Sequence, residues 1–130
     1  MFTPQQLKAA HSKVKSGADF PNYIQDIIKL GVTGYETFVT DGHTVFYGKD
    51  NFSTSWEAKY APLQIANESD STQFKAGLKE HQQGKTDYPT FCTMSAQCGI
   101  EKWVLDLNAM TCTYYDKEGN MILVEHVPVP

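Results

Sequence analysis

Tyr35-Glu36-Thr37-Phe38-Val39-Thr40-Asp41-Gly42-His43-Thr44-Val45-Phe46-Tyr47 decides the fold. Two strand-like runs rich in β-branched and aromatic residues flank Asp-Gly, the pair favoured where a two-residue hairpin turn needs positive φ at both central positions. A type I′ turn at Asp41-Gly42 sets the register: Thr40 faces His43, Phe38 faces Val45 and Glu36 faces Tyr47. Thr37, Val39, Thr44 and Phe46 fall on the other side. Both faces are mixed, so helices are expected on one side and a loop or ligand on the other.

Helical patterns precede this hairpin. Thr3, Pro4 and Gln6 have the spacing of a capping box with proline at the first helical position. Leu7, Ala10, His11 and Val14 share a face, and Gly17 ends that helix. His11 reads as a packed or half-exposed side chain rather than a ligand. A second helix starts at Asp19 to Pro21, buries Ile24, Ile27 and Ile28, and stops at Gly31. After the hairpin, Lys49 to Ser55 reads as turn-rich, Pro62 to Ile65 as a short edge strand and Asn67 to Thr72 as a loop.

His81 to Gly99, HQQGKTDYPTFCTMSAQCG, holds a helix end, a tight connection and a helix start. Phe74, Leu78 and His81 follow helical spacing up to Gly84, and the next helix runs from Tyr88-Pro89 to Gly99. A three-strand meander closes the chain: Ile100 to Leu107, Met110 to Tyr115 and Met121 to Val127. The expected fold is a single α+β domain spanning residues 1–130. It has a mostly antiparallel sheet, built from the N-terminal hairpin and the C-terminal three-strand meander, and about four helices. No internal repeat and no interdomain linker is apparent.

At 130 residues the chain suits one domain. Its net charge is −4 and all eleven basic residues are lysine. Arginine is the preferred donor to phosphate and to guanine edges, so an acidic, arginine-free chain argues against a nucleic-acid partner. No apolar run approaches the ~20 residues that cross a bilayer. The first residues lack the apolar stretch of a secretory signal. Three cysteines cannot pair completely, which favours a reducing compartment. A cytoplasmic protein without a membrane partner is expected.

Gly31 to Gly48 (GVTGYETFVTDGHTVFYG), His81 to Cys92 (HQQGKTDYPTFC) and Gly99 to Asn120 (GIEKWVLDLNAMTCTYYDKEGN) together resemble the YbcV-like family of small bacterial and prophage-associated proteins, sometimes labelled phage envelope proteins. The resemblance spans nearly the whole chain. It implies an α+β fold and a cytoplasmic bacterial protein. It implies no reaction and transfers no catalytic residue.

Gly84-Lys85-Thr86 lacks the leading glycine and strand of a phosphate-binding loop, since position 79 is Lys79 in a helical stretch. Cys92 and Cys98 lie some 120° apart around a helix, which suits neither a shared metal nor a disulfide. No metal site and no cofactor is expected, and Cys112 reads as a buried strand residue. Cys92 follows a helix start capped by Asp87, where the helix dipole favours a thiolate. His81 is within reach if the helices fold back at Gly84, so His81, Asp87 and Cys92 are the catalytic candidates. The aromatic residues Tyr47, Trp56, Tyr88 and Trp103 are the binding candidates, because such side chains combine apolar area with a polar tip.

Two functional readings follow. The leading one is a non-enzymatic, prophage-associated domain that binds a protein partner or a second copy of itself through the free edge of Met121 to Val127. The alternative is a small enzyme using the Cys92 thiol with His81 and Asp87.

Overall fold

The computed structural model describes residues 2–15 and 17–128. The elements run α1 (Pro4–His11), a 3-10 turn (Gly17–Asp19), α2 (Phe20–Leu30), β1 (Gly34–Phe38), β2 (Thr44–Tyr47), β3 (Ser53–Trp56), α3 (Ser71–Gln82), α4 (Tyr88–Gln97), β4 (Ile100–Asp106), β5 (Thr111–Asp116) and β6 (Met121–His126). The fold is α+β, with the six strands antiparallel in the order β3-β2-β1-β4-β5-β6.

Local chemistry places the helices. Thr3 and Gln6 form the capping box of α1. Asp70 caps α3 through the Gln73 amide, and Asp87 caps α4 through the Thr90 amide. Gly31, at φ +106°, closes α2. The first helix is shorter than its apolar pattern suggests: it is capped at Ser12, and Gly17 opens the 3-10 turn instead. Gly77 lets α3 and α4 approach closely, because a Cβ there would lie 2.4 Å from the Met94 Cε.

The hairpin register is corrected by two residues. Thr37 faces Thr44 and Glu36 faces Val45, so Val39 to Gly42 form the loop. Val39 is fully buried, and its amide donates to the Glu101 carbonyl at 2.9 Å. Burial and pairing with the β4 side therefore draw Val39 away from β2. A slip of two keeps every side chain on its face.

Pro62 to Ile65 is not a strand. After β3 the chain folds back over the hairpin loop: the Lys59 amide donates to Asp41 O at 2.7 Å, the Leu63 amide to Thr40 O at 2.6 Å and the Tyr60 hydroxyl to Val39 O at 2.6 Å. The extra strand is β3, within and just beyond the stretch read as turns.

The two halves of the chain also repeat one plan, where none was apparent from sequence. Two helices and a three-strand meander occur twice, and the first strands of the two meanders pair antiparallel at the centre of the sheet. Aligning the helix-closing glycines Gly31 and Gly99 sets Asp19-Phe20-Pro21-Asn22-Tyr23 on Asp87-Tyr88-Pro89-Thr90-Phe91, and Val45-Phe46-Tyr47 on Thr113-Tyr114-Tyr115. It sets Glu36 on Val104, its own register partner, while the flanking pairs Tyr35–Leu105 and Thr37–Trp103 exchange. A pseudo-two-fold axis therefore passes between β1 and β4. The repeat was hidden because the matches cluster at caps, glycines and aromatic positions.

One face of the sheet carries the core. The register lays out two rows on it: Trp56, Thr44, Thr37, Trp103, Tyr114, Leu123, and Thr54, Phe46, Tyr35, Leu105, Cys112, Glu125. Helix residues Leu7, Ile24, Ile27, Phe74 and Phe91 bury themselves in the same core. Each side chain fully removed from water contributes roughly 1.5–3 kcal/mol.

Candidate functional site

Between this face and the helices lies a cavity of about 600 Å³. Its floor is the paired rows from Trp56 to Glu125. Its roof is the end of α1 with His11, the start of α2 with Tyr23, the end of α3 with His81 and the start of α4 with Tyr88 and Phe91. Equivalent positions of the two halves (Tyr23 and Phe91, Tyr35 and Trp103, Phe46 and Tyr114) all line it, so the cavity sits on the pseudo-two-fold axis.

The aromatic rings interlock. Phe46 meets Trp56 edge-on at 4.8 Å, and Trp103 lies 5.4 Å from Phe91 and 6.1 Å from Tyr114. The His11 ring stands edge-on to Tyr23 and Trp56, both at 5.3 Å. Burial, aided by the Lys59 charge, lowers its pKa to about 4, so the imidazole is neutral at pH 7.

The polar groups divide by end. Near β3, the Lys59 ammonium lies 4.1 Å from the Trp56 ring centroid and 5.8 Å from that of Tyr88. Burial lowers its pKa. No carboxylate pairs with it among the described residues. Near β6, Glu125 accepts from Gln82 Nε2 at 3.1 Å and from the Tyr114 hydroxyl at 3.5 Å. On the floor, the buried Thr37 and Thr44 hydroxyls share one hydrogen bond of 3.0 Å.

Of the binding candidates, Trp56, Tyr88 and Trp103 line this one cavity. Tyr47 does not. It points to the opposite face, 40% exposed, with its hydroxyl 3.5 Å from Glu36.

Of the catalytic candidates, His81 and Asp87 both lie at the cavity wall. His81 stacks on Phe91 at 4.4 Å, and its Nδ1 is 3.2 Å from the Thr86 carbonyl. The Thr86 hydroxyl lies at the same 3.2 Å from Nδ1. Burial lowers the His81 pKa, against the Thr86 carbonyl and the Asp87 charge. Asp87 is exposed and held below the usual carboxylate range by hydrogen bonds from the Thr90 side chain and amide.

Cys92 is buried and joined to Tyr60 and Tyr88 rather than to His81. Burial pushes the thiol up despite those two hydroxyls and the Lys59 charge. Cys98 is also pushed up by burial, and Cys112 reaches about 12 for the same reason. All three thiols are free and buried. No group of three or more His, Cys, Asp or Glu residues among the described residues is placed to hold a metal ion. No helix among them is long and apolar enough to cross a membrane.

Tyr23, Tyr35, Thr37, Thr44 and Lys59 are among the lining residues that were not candidates from sequence. Four of them carried a usable signal. Thr37 and Thr44 shared a hairpin face, and Tyr23 and Tyr35 stood beside apolar stripes.

The chain belongs to the family of proteins of unknown function DUF1398, which matches it over residues 8–126. No curated protein matches the chain.

Proposed function

We propose that this DUF1398 member is a non-enzymatic domain that binds a small molecule in the cavity between its sheet and its helices. The cavity carries the reading. Interiors normally pack without voids larger than a water molecule, whereas ligand pockets span ~300–1,000 Å³ and combine apolar walls with a few polar groups. A space of about 600 Å³ walled by Trp56, Tyr88, Trp103 and their neighbours has that size and composition. The buried, unpaired thiols fit a reducing, cytoplasmic setting. The YbcV-like resemblance and its prophage association belong to this proposal as the context in which the ligand is sought.

Native mass spectrometry on protein gently purified from its own cytoplasm tests the reading. The expected result is extra mass of small-molecule size that disappears on denaturation. Both tryptophans of the chain line the cavity, so an occupant also changes their emission. A bare chain mass, together with unchanged emission and melting temperature across a panel of small apolar compounds, overturns it.

A second reading, self-association, is favoured by the edge strand β6, where Met121 is 67% and Val124 51% exposed. A monodisperse monomer in sedimentation at ~100 µM, a concentration well above that of ordinary specific dimers, removes it.

A further inference from the structure

We propose that the cavity takes an anionic ligand, a carboxylate on a flat apolar body, with the carboxylate at Lys59 and the body lying over the sheet towards Trp103. This rests on the small-molecule reading above and adds the chemical class of the ligand.

The cavity's polar groups differ between its two ends. At the β6 end the one carboxylate, Glu125, already has two donors, Gln82 and Tyr114. Asp87 is engaged as a helix cap by the Thr90 amide at 2.9 Å. Neither leaves a strong unmet demand for a donor. The β3 end differs. The Lys59 ammonium faces the rings of Trp56 and Tyr88 and no carboxylate. Lys59 is an exposed residue of the cavity lining, and an ammonium has three protons and accepts nothing, so the ligand group it favours is an acceptor.

The floor repeats the bias. Two threonine hydroxyls carry two protons, and the Thr37–Thr44 bond uses one of them. The other has no acceptor among the described residues. The hydroxyls of Tyr23 and Tyr35, both at the cavity, likewise make no hydrogen bond there. Neither tyrosine hydroxyl is sealed off without a partner, so both face accessible space.

The open floor hydroxyls can all donate, and of Lys59, Asp87 and Glu125 it is Lys59 that has no hydrogen-bonding partner among the described residues. The pseudo-symmetry sharpens this. Thr44 and Cys112 are equivalent, and their neighbours across the next strand are Trp56 at one end and Glu125 at the other. Two halves that share their aromatic walls differ in charge at their outer ends, so the cavity has a direction. Aromatic walls at Trp56 and Trp103, the two ends of the Trp56–Thr44–Thr37–Trp103 stretch of the floor, favour a flat aromatic ligand body over a branched one.

The test is isothermal titration calorimetry of the full chain with three compounds of one shape: 2-naphthoate, 2-naphthamide and 2-naphthylmethylammonium. Naphthoate is expected to bind at least tenfold more tightly than the amide, and the amine least. In Lys59→Met, which keeps an apolar stem over Trp56, the preference for naphthoate is expected to vanish while amide binding stays. Lys59→Gln, checked for folding by circular dichroism, serves as the second variant. Equal binding of the three compounds, a preference for the amine, or a naphthoate preference that survives in both variants overturns the anionic assignment and leaves the pocket standing. Binding of none of the three removes the assignment and counts against the pocket reading as well.

Discussion

His11 is the clearest electrostatic lever in the fold. Its ring is wedged among Tyr23, Trp56 and Tyr88 with the Lys59 charge nearby, and burial holds its pKa at about 4 against an ordinary 6.5. The folded chain therefore binds fewer protons than the unfolded chain between those two values, and stability falls as pH falls. The stabilisation is complete above pH 6.5, erodes below it and is lost once pH passes the folded value. At pH 5.0 the two pKa values give a loss of about 2 kcal/mol, and solvent screening of a half-exposed ring reduces it to about 1–2 kcal/mol. The measurement is urea unfolding followed by far-ultraviolet circular dichroism at pH 7.5 and pH 5.0, for the natural chain and His11→Phe. The phenyl ring keeps the edge-on packing and cannot titrate. The natural chain is expected to lose about 1–2 kcal/mol more than the variant across that interval. His81 is shifted in the same direction but is present in both proteins, so it cancels from the difference. Identical pH dependence of the two would refute the claim that burial of a neutral His11 is coupled to folding.

Three further outcomes are expected. Gly99 and Gly119 both hold positive φ, but a Cβ on Gly99 would meet the Glu68 carbonyl oxygen at 2.6 Å while one on Gly119 meets nothing within 4 Å. Gly119→Ala should cost only strain of ~1–2 kcal/mol, and Gly99→Ala should exceed it by at least ~1 kcal/mol in chemical denaturation. The native protein at pH 8 should leave all three thiols unmodified by Ellman's reagent, with full reaction in urea, because each is buried and raised; fast native labelling of Cys92 would instead revive the thiol-enzyme reading. Asp87→Ala should remove a helix cap worth about 1 kcal/mol and leave ligand binding intact, whereas loss of binding at full stability would move Asp87 from cap to ligand contact.

Helices and meander were legible because their signals are local. Caps at Thr3 and Asp87, the glycine at 31 and the alternation along Ile100 to Leu107 need no distant partner. What was missed depends on tertiary contacts. The polar run Ser53-Thr54-Ser55 pairs with β2 at the sheet edge, and only Trp56 in that strand is buried. The hairpin register turned on Val39, which answers to Glu101 rather than to its own hairpin. The candidate site was half legible. Aromatic content pointed to Trp56, Tyr88 and Trp103, but their convergence on one cavity is set by strand order, and Tyr47 fell on the opposite face by parity alone. Lys59 had no sequence signal, since its position is fixed by the return of the chain over the Asp41 loop.

The central strand pair has a consequence for the symmetry of the cavity. Two equivalent strands that meet antiparallel about a shared register point are the signature of an isologous contact, the kind that two identical subunits make. The chain thus holds, within one polypeptide, the arrangement that two half-length copies would make by pairing their first strands. Within one chain the two halves need not be identical. A pocket on the axis of a true homodimer must look the same from both ends, whereas here one end has come to carry Lys59 and the other Glu125.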